Sequence, residues 1–387
     1  MSRFAFTDDE CLALAETHGT PCFLYRRSVA EAAYRTLRAA LPPRVRIAYA
    51  VKANPHPDLL ACFAELGASF DCASIGELQR VSTLRLPPGR TFFAGPGKRT
   101  EELALALDLG VRVQAEGLED LERLEWLAEA RALPEVPVNL RVHPLGIEEG
   151  ARILGGSGPS AFGVDEEAVP ELLVRASTLR HVKLRGLHAF AASNQRDAAA
   201  LLAIHGRILD LARRLTETRG LRLEQIDLGG GLGVPYAAEE APLDLATFGQ
   251  GLSDLLARHA WFKGELILEP GRFLAGPCGI YLARVVRLKE SRGVRFAILE
   301  GGINHLIRPL LTGQPFPVRV VGREAGAVPY TLAGPLCTSL DRLGEVRLPE
   351  LAAGDMLAFG TAGAYGLNEG MTHFLSHPVP PEVWVAG

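Results

Sequence analysis

Eight short apolar runs, separated by helical patterns, are the feature that most constrains the fold of this chain. Helix patterns such as DLLACFAELG and TEELALALDLG lie between them. Apolar strands that alternate with helices are typical of a parallel sheet covered on both faces, and eight such units predict a (β/α)8 TIM-like barrel of the α/β class. The runs are VRIAYAVK (45–52), ASFDCAS (68–74), TFFAG (91–95), VRVQAE (111–116), VPVNLRVHP (136–144), VKLRGLHAFA (182–191), LEQIDLGGG (223–231) and ELILEPGR (265–272).

The pattern changes after about residue 273. Strand-like segments such as CGIYLARVVRLKE, VRFAILEGG and DMLAFG follow one another closely, with little helix between them. This spacing predicts a β-rich domain, and the early segment PCFLYRRS fits the same texture. We therefore expect a barrel over residues 26–272 and a β-rich domain made of residues 1–25 and 273–387.

Composition excludes several classes of protein. The formal net charge of −4 argues against nucleic-acid binding, which favours a basic face. The six cysteines form no CxxC pair, so no zinc site is expected, and no other metal site is predicted. Cysteines dispersed in this way fit a reducing, cytoplasmic setting. No signal peptide is expected from the start MSRFAFTDDE, and no membrane span is expected without a run of about 18 apolar residues.

A lysine in the first of these runs raises a chemical question. The chain has only five lysines, and Lys52 ends the apolar run IAYAVKA. A charged amine in an apolar strand costs free energy unless it is paired, neutralised or chemically bonded. An isolated strand lysine more often snorkels or pairs with a carboxylate. In a barrel, however, functional groups lie at the carboxyl ends of the strands, where Lys52 stands.

Three other strand ends carry groups that complement this amine. The seventh run ends in a glycine run at 229–233, whose backbone N–H groups suit an anion, and the eighth ends in EPGR, with Glu269 and Arg272. The sixth brings Ser193 as a donor and Phe190 as a flat surface, although core packing is an equal alternative for Phe190. Together with Lys52, these groups match what pyridoxal phosphate requires: an amine, a phosphate site, a ring platform and an acidic partner for its pyridine nitrogen.

Eight ordered motifs extend this reading over nearly the whole chain. With them, the sequence resembles the fold-type III pyridoxal-phosphate decarboxylases, which include diaminopimelate, ornithine and biosynthetic arginine decarboxylases. The resemblance implies an alanine-racemase-like barrel with a second domain. The motifs are YAVKAN (49–54), FDCASIGEL (70–78), GLHAFAASN (186–194), DLGGGLG, EPGR, GGINHLIRP (301–309), GPLCTSLDRL (334–343) and GAYG (363–366).

The resemblance also implies roles for individual residues. Lys52 would form a Schiff base with the cofactor, with Asp71 near it, and Glu269 would pair with the pyridine nitrogen. Cys337 would protonate the carbon from which carbon dioxide departs. Family members are homodimers with shared active sites, so Cys337 would act in the site of the partner chain. The implied phosphate ligands are Ser193, Gly230, Gly231, Arg272 and Tyr365.

Departures from the family pattern bear on the substrate. Phe190 replaces the histidine that usually stacks on the cofactor, and His188 would point the same way along the strand. Thr338 stands where many members carry an acid that reads a distal ammonium. Arg308 matches the arginine that binds a distal carboxylate in diaminopimelate decarboxylases. With Asp341 of the CTSLD segment, these are the expected substrate-binding residues.

We therefore predict decarboxylation of an α-amino acid, or an amino-acid conjugate, whose distal end is neutral or anionic. The segments FAAS, CTSLDRLG and FLSHP look more like a biosynthetic-cluster branch, whose members act on glutamyl groups of carrier proteins or on citryl adducts of amino acids. Whether the substrate is free or carrier-bound stays open. The alternatives are a diaminopimelate or diamine-forming decarboxylase, an amino-acid racemase, and a non-catalytic cofactor-binding homologue.

Overall fold

The computed structural model describes residues 3–146, 158–190 and 192–387, and it divides the chain into two compact units. Ala191, at the end of the sixth predicted strand, lies outside the described residues. No described helix is long and apolar enough to cross a membrane. The domain boundaries expected from the sequence stay a prediction. The barrel unit comprises Tyr34–Gly233 and Leu243–Gly271, and the β-rich unit comprises the residues up to Ala33, Val234–Pro242 and Arg272–Gly387.

The described part of the chain contains seventeen strands. They are β1 (Cys22–Arg26), β2 (Val45–Ala50), β3 (Ser69–Cys72), β4 (Thr91–Phe93), β5 (Arg112–Ala115), β6 (Val136–His143), β7 (Val164–Asp165), β8 (Val182–His188), β9 (Gln225–Asp227), β10 (Glu265–Leu268), β11 (Gly279–Ser291), β12 (Val294–Leu299), β13 (Val318–Val320), β14 (Val328–Ala333), β15 (Arg342–Leu348), β16 (Met356–Phe359) and β17 (Glu382–Val385).

Eleven α-helices lie among these strands in the described residues. They are α1 (Asp8–His18), α2 (Arg27–Ala40), α3 (Pro57–Glu65), α4 (Ile75–Ser82), α5 (Thr100–Asp108), α6 (Leu118–Ala130), α7 (Val169–Ala176), α8 (Ala198–Arg219), α9 (Leu245–Arg258), α10 (Arg272–Ala275) and α11 (Arg308–Thr312). Short 3-10 turns cover Val51–Ala53, Gly276–Cys278, Leu367–Glu369 and Phe374–Ser376.

Eight parallel strands close the barrel unit. The order β5-β4-β3-β2-β10-β9-β8-β6 is completed by pairing of β5 with β6, and the two-residue β7 pairs with β6 on the side. The predicted (β/α)8 barrel is therefore confirmed, and each predicted run contributes one barrel strand. Closure brings the carboxyl ends of all eight strands to one rim, which is where barrel enzymes place their functional groups.

Local sequence explains these elements. Strand β2 is buried at five of its six positions, because helices cover its outer face and barrel residues its inner face. Ala48, Phe92 and Ile267 pack together as a cluster of fully buried side chains. Helix α8 begins at Asp197, whose carboxylate accepts two backbone N–H groups, and it ends at Gly220 in the left-handed conformation.

The β-rich unit is built on an eight-stranded sheet. Its path runs β13-β16-β11-β12-β14-β15, and β1 pairs with both β11 and β17. Strand β1, which lies within PCFLYRRS, thus pairs with strands from much later in the chain. Strand β15 was missing from the prediction, because Arg342, Glu345 and Arg347 interrupt its apolar residues. It forms one end of the sheet path and exposes these three side chains in alternation with buried ones.

Candidate active site

Lys52 lies just beyond the end of β2, in the 3-10 turn Val51–Ala53. The predicted strand over 45–52 ends at Ala50, which pairs with Asp71 as the last rung between β2 and β3. The Lys52 side chain is 40% exposed, its Nζ lies 3.8 Å from Oδ2 of Asp71, and it lies 4.8 Å from the centroid of the Phe190 ring. The Lys52 amine is therefore accessible, and the Asp71 carboxyl group and the Phe190 ring lie beside it.

Glu269 lies at the end of β10 with only 2% of its surface exposed. Nε2 of Gln114 donates to Oε1 of Glu269 at 3.2 Å and to Oδ2 of Asp227 at 3.0 Å, so one amide bridges two carboxyl groups. Nε2 of His188 lies 3.6 Å from Oε2 of Glu269. These partners come from β5, β9 and β8, and barrel closure alone brings them together.

Asp71, Asp227 and Glu269 are buried carboxyl groups that act on one another's pKa values, and their shifts differ in direction. Burial and the charge of Glu269 raise the pKa values of Asp71 and Asp227 well above the ordinary range. Burial also raises the pKa of Glu269, but His188, Lys52 and Asp227 outweigh it and bring that pKa to about 2. Glu269 is therefore the ionised member of the group.

His188 lies fully inside the barrel. Burial lowers its pKa, and the nearby Glu269 opposes that shift. Donor atoms of His188, Asp227 and Glu269 lie within 4.8 Å of one another, a spacing a metal ion could use, but the amide N–H of Gln114 is already hydrogen-bonded to both carboxyl groups.

The glycine run after β9 has backbone geometry that excludes side chains. A Cβ on Gly230 would lie 2.5 Å from the carbonyl oxygen of Glu269, and one on Gly231 would lie 2.5 Å from Cβ of Ala192. The backbone N–H groups of Gly230 and Gly231 donate to no acceptor among the described residues, although Gly230 is buried. A buried amide without an acceptor fits an anion such as a phosphate.

A second cluster, here called the arginine cluster, lies in the β-rich unit. Nη1 of Arg272 donates to the hydroxyl of Tyr236 at 2.7 Å, and its guanidinium lies 4.5 Å from the ring centroid of Tyr365. The guanidinium of Arg308 lies 5.8 Å from the Tyr236 centroid and 5.7 Å from that of Tyr365. Tyr365 has a φ of 53°, an uncommon conformation outside glycine. Glu369 completes the cluster, and the charges of Arg308 and Arg272 act on it.

Cys337 is carried by the loop that follows β14. It is exposed, whereas the other five cysteines are buried. Asp341 closes this loop: its carboxylate accepts backbone N–H groups of Ile303 at 2.8 Å and Leu336 at 2.7 Å. A Cβ on Gly302 would lie 1.9 Å from Oδ1 of Asp341, so glycine leaves the room that this carboxylate occupies. These contacts explain why Asp341 is buried.

The barrel rim thus has the parts that a pyridoxal phosphate enzyme needs: a reactive lysine beside an aromatic ring, a buried ionised carboxylate and unpaired amides for a phosphate. The class defined by fold and site is that of barrel enzymes dependent on this cofactor. A family model described as the pyridoxal binding domain of pyridoxal-dependent decarboxylases matches residues 27–276. The chain belongs to the pyridoxal-dependent decarboxylase family, and it is a pyridoxal phosphate-dependent amino-acid decarboxylase.

Individual relatives agree with this family. The L-glutamyl-[BtrI acyl-carrier protein] decarboxylase of Niallia circulans is 32% identical over 97% of this chain and 90% of that protein. The diaminopimelate decarboxylase of Pseudomonas aeruginosa is 35% identical over 95% and 89%. Among solved structures, diaminopimelate decarboxylase from Helicobacter pylori complexed with L-lysine has a TM-score of 0.89 and 28% identity, covering 97% of this chain and 94% of that one.

Each unit brings together only part of the predicted site. Lys52, Asp71, Phe190, His188 and Glu269 meet in the barrel unit, and Arg272, Tyr365 and Arg308 meet in the β-rich unit. Their roles stay predictions, as do those of Ser193, Thr338 and Asp341. The substrate-binding role predicted for His188 has weaker support, because its nearest charged neighbour is Glu269.

Four participants were missed from the sequence. They are Gln114, Asp227, Tyr236 and Glu369, and of these only Asp227, the first residue of DLGGGLG, belongs to a motif quoted from the sequence. Asp227 and Tyr236 flank the glycine run, and that position was the one available signal. The contacts of Gln114 and Glu369 depend on pairing between distant segments, which no local pattern reveals.

Proposed function

We propose that this enzyme decarboxylates an α-amino acid, or an amino-acid conjugate, whose distal end is neutral or anionic. The observation that carries the proposal is Arg308. It is 5% exposed, lies between two tyrosine rings, and its Nε has no hydrogen-bond partner among the described residues. A buried guanidinium with an unused N–H suits an acceptor on a ligand. Thr338, beside Cys337, offers no charge to a distal ammonium.

The residues at the barrel rim fit the cofactor in distinct roles. Lys52 is the amine that would hold it covalently, and Phe190 is the ring on which its pyridine would lie. The unpaired amides of Gly230 and Gly231 suit its phosphate. When bound, pyridoxal phosphate supplies an electron sink for the pair left behind as the carboxyl group departs as carbon dioxide. The further phosphate ligands that we propose are Ser193, Arg272 and Tyr365.

Glu269 would maintain a proton on the pyridine nitrogen. Its low pKa makes it an anion at any physiological pH, and its carboxylate is held by Gln114 and faced by His188. Asp227 shares the Gln114 amide, so loss of that amide would free both carboxyl groups to turn. Asp71, next to Lys52, would orient the amine.

Cys337 would return a proton to the substrate carbon after carbon dioxide leaves. A thiol can donate near neutrality, and this one is exposed. We propose that it acts in the site of a second copy, in a homodimer. The neighbouring Leu340 is 57% exposed, which fits coverage by another chain. Mixing Lys52→Ala and Cys337→Ala chains should restore roughly a quarter of the activity if sites are shared between two copies. Failure to restore activity would contradict the shared site.

A diaminopimelate decarboxylase is the second candidate, because Arg308 would also suit a distal carboxylate and a relative at 35% identity carries that name. The glutamyl-carrier relative favours a conjugate instead, either free or bound to a carrier protein. The six free cysteines suit a reducing compartment, and we propose that the enzyme works in the cytoplasm.

Carbon dioxide release from a panel of amino acids tests the proposal. The panel contains L-glutamate, L-glutamine, γ-glutamyl amides, diaminopimelate, L-ornithine and L-lysine. We expect members with carboxylate or amide ends to be decarboxylated with a higher kcat/KM than ornithine and lysine. Faster turnover of the two diamine precursors would overturn the substrate class and leave the cofactor assignment intact.

A further inference from the structure

Two polar atoms of opposite character lack partners in the arginine cluster. Nε of Arg308 is a donor and Oε2 of Glu369 is an acceptor, and both are buried without a hydrogen bond among the residues that the structure describes. Burial raises the pKa of Glu369 above its usual value, and the charges of Arg308 and Arg272 oppose that shift without cancelling it. These two atoms nevertheless have no partner, and a buried polar group without a hydrogen bond is destabilising.

The position of Glu369 is set by tight packing. The backbone N–H of Met371 donates to the carbonyl of Ile303 at 3.3 Å. A Cβ on Gly370 would lie 2.4 Å from the carbonyl oxygen of Asn304, so the turn that carries Glu369 rests directly on the segment leading to Arg308. The backbone beside Glu369 is therefore packed against the segment that leads to Arg308.

The position of Arg308 is equally constrained. Its guanidinium is flanked by the rings of Tyr236 and Tyr365, and Arg272 stands on the same two rings. Two guanidinium groups thus share one aromatic environment with a single carboxyl group. Nε of Arg308 and Oε2 of Glu369 are the two buried side-chain atoms of this cluster without a hydrogen-bond partner among the described residues.

We infer that Arg308 and Glu369 together form a subsite that selects a neutral, amide-type distal group over both a free carboxylate and an ammonium. An amide carbonyl accepts from Nε of Arg308, and an amide N–H donates to Oε2 of Glu369, so one group satisfies both orphan atoms. The inference rests on the proposed function and narrows it to substrates resembling glutamine or an N-substituted glutamyl amide.

A substrate with a charged distal end satisfies only one of the two unpaired atoms, Nε of Arg308 or Oε2 of Glu369. A carboxylate pairs with Arg308 but places a second anion against Glu369, whereas an ammonium pairs with Glu369 but faces Arg308 and Arg272. Rejection of a competitor by unpaired or like charges is how binding sites obtain specificity beyond simple attraction. Glu369 is thus the residue that separates this subsite from one made for carboxylates.

Matched pairs of amino acids test the subsite. The holoenzyme is given L-asparagine and L-aspartate, L-glutamine and L-glutamate, and N-methyl-L-glutamine, and KM and kcat are measured from carbon dioxide release. We expect the amide of the best-accepted length to have a KM about tenfold or more below that of its acid, because a mispaired buried group costs that much. Glu369→Gln should remove most of this ratio by lowering the KM of the acid.

Glu290→Gln, an exposed substitution in β11 of the same unit, should leave the ratio unchanged. A wild-type preference for the acid, or an amide-to-acid ratio that Glu369→Gln does not alter, overturns this inference alone. If no member of the pairs is decarboxylated while ornithine is, the proposed substrate class fails as well, so the two failures are distinguishable.

Discussion

The barrel unit and the β-rich unit each bury a cluster of charged groups, with opposite excess. In the barrel unit, the carboxyl groups of Asp71, Asp227 and Glu269 act on one another, and the Lys52 amine lowers the pKa values of Asp71 and Glu269. In the arginine cluster, Arg272 and Arg308 surround one carboxyl group, Glu369. Burying such charges costs stability unless each finds a partner.

The clusters also differ in how completely they are satisfied. Glu269 has Gln114 and His188 as neighbours, so its charge is established by the protein itself. The arginine cluster leaves a donor and an acceptor open. We propose that the open donor and acceptor of the arginine cluster serve a substrate that enters and leaves, whereas Arg272 and Tyr365 of the same cluster serve the cofactor phosphate. The following experiments test that contrast.

The largest effect is expected from Lys52→Ala in the barrel unit. Removal of the amine that holds the cofactor should lower kcat/KM by about 10^4-fold or more and abolish the visible absorption band of the bound cofactor. Lys183→Ala, in β8, is the matched control, because Lys183 donates to the carbonyl of Leu179 in the loop after α7. A variant that keeps the band and the activity would remove Lys52 from the site.

Glu269→Gln should lower kcat by about 10^2–10^3-fold, the cost typical of losing a preorganised charge at a reacting group. The amide keeps the shape and the contact with Gln114 but cannot hold a proton on the pyridine nitrogen. Steady-state kinetics measure this, with Glu265→Gln at the opposite end of β10 as control. A loss confined to KM would show that Glu269 acts only in binding.

Cys337→Ala, in the β-rich unit, should lower kcat by about 10^2-fold, within the range for a general acid. Cys337→Ser should recover little, since a hydroxyl is a weaker acid than a thiol. Ser339→Ala is the control in the same exposed loop. Carbon dioxide release and product analysis together measure the effect, and wild-type kcat in both cysteine variants would exclude Cys337 as the proton donor.

Arg308→Met should raise the KM for substrates with amide or carboxylate ends by about tenfold and leave kcat within a few-fold. Methionine keeps much of the apolar contact with Tyr236 and Tyr365 but removes the donor. The split between KM and kcat separates a distal contact from a catalytic one. A fall in kcat at constant KM would contradict the assignment of Arg308 to the substrate's distal end.

The smallest expected effect concerns stability alone, and it involves one buried histidine in each unit. Burial lowers the pKa of His205 in α8, and that of His305 in the β-rich unit, from 6.5 to about 4. As pH falls from about 6.5 towards 4, the unfolded chain binds protons that the native one does not, so stability falls, by about 3 kcal/mol at most for each histidine.

His205→Phe should remove the part of this acid destabilisation that arises in the barrel unit. Phenylalanine fits beside Phe248, whose ring centroid lies 5.7 Å from that of His205. Urea unfolding midpoints at several pH values measure the change, with the exposed His18→Gln as control. If His205→Phe and the wild type lose the same stability at low pH, His205 is not a source of the acid destabilisation.

Much of the barrel could be predicted because its signals are local. Each strand is a short apolar run, and the motifs around Lys52, Glu269 and the glycine run stand at predicted strand ends. Strand β15 was missed because its charged residues conceal the alternation of buried positions. The exposure of the Lys52 side chain was also missed. Strand β2 ends at Ala50, and Lys52 lies in the 3-10 turn that follows, where its side chain is 40% exposed.

The sequence by itself determined the alternation of strands and helices, the texture of the second domain and the residue types at each strand end, because these depend on neighbours along the chain. Only the tertiary structure decided that Gln114 bridges Asp227 and Glu269. It also decided that Nε of Arg308 and Oε2 of Glu369 are buried without a hydrogen-bond partner among the described residues. Charge states follow from burial and from contacts between distant segments, and both exist only once the chain has folded.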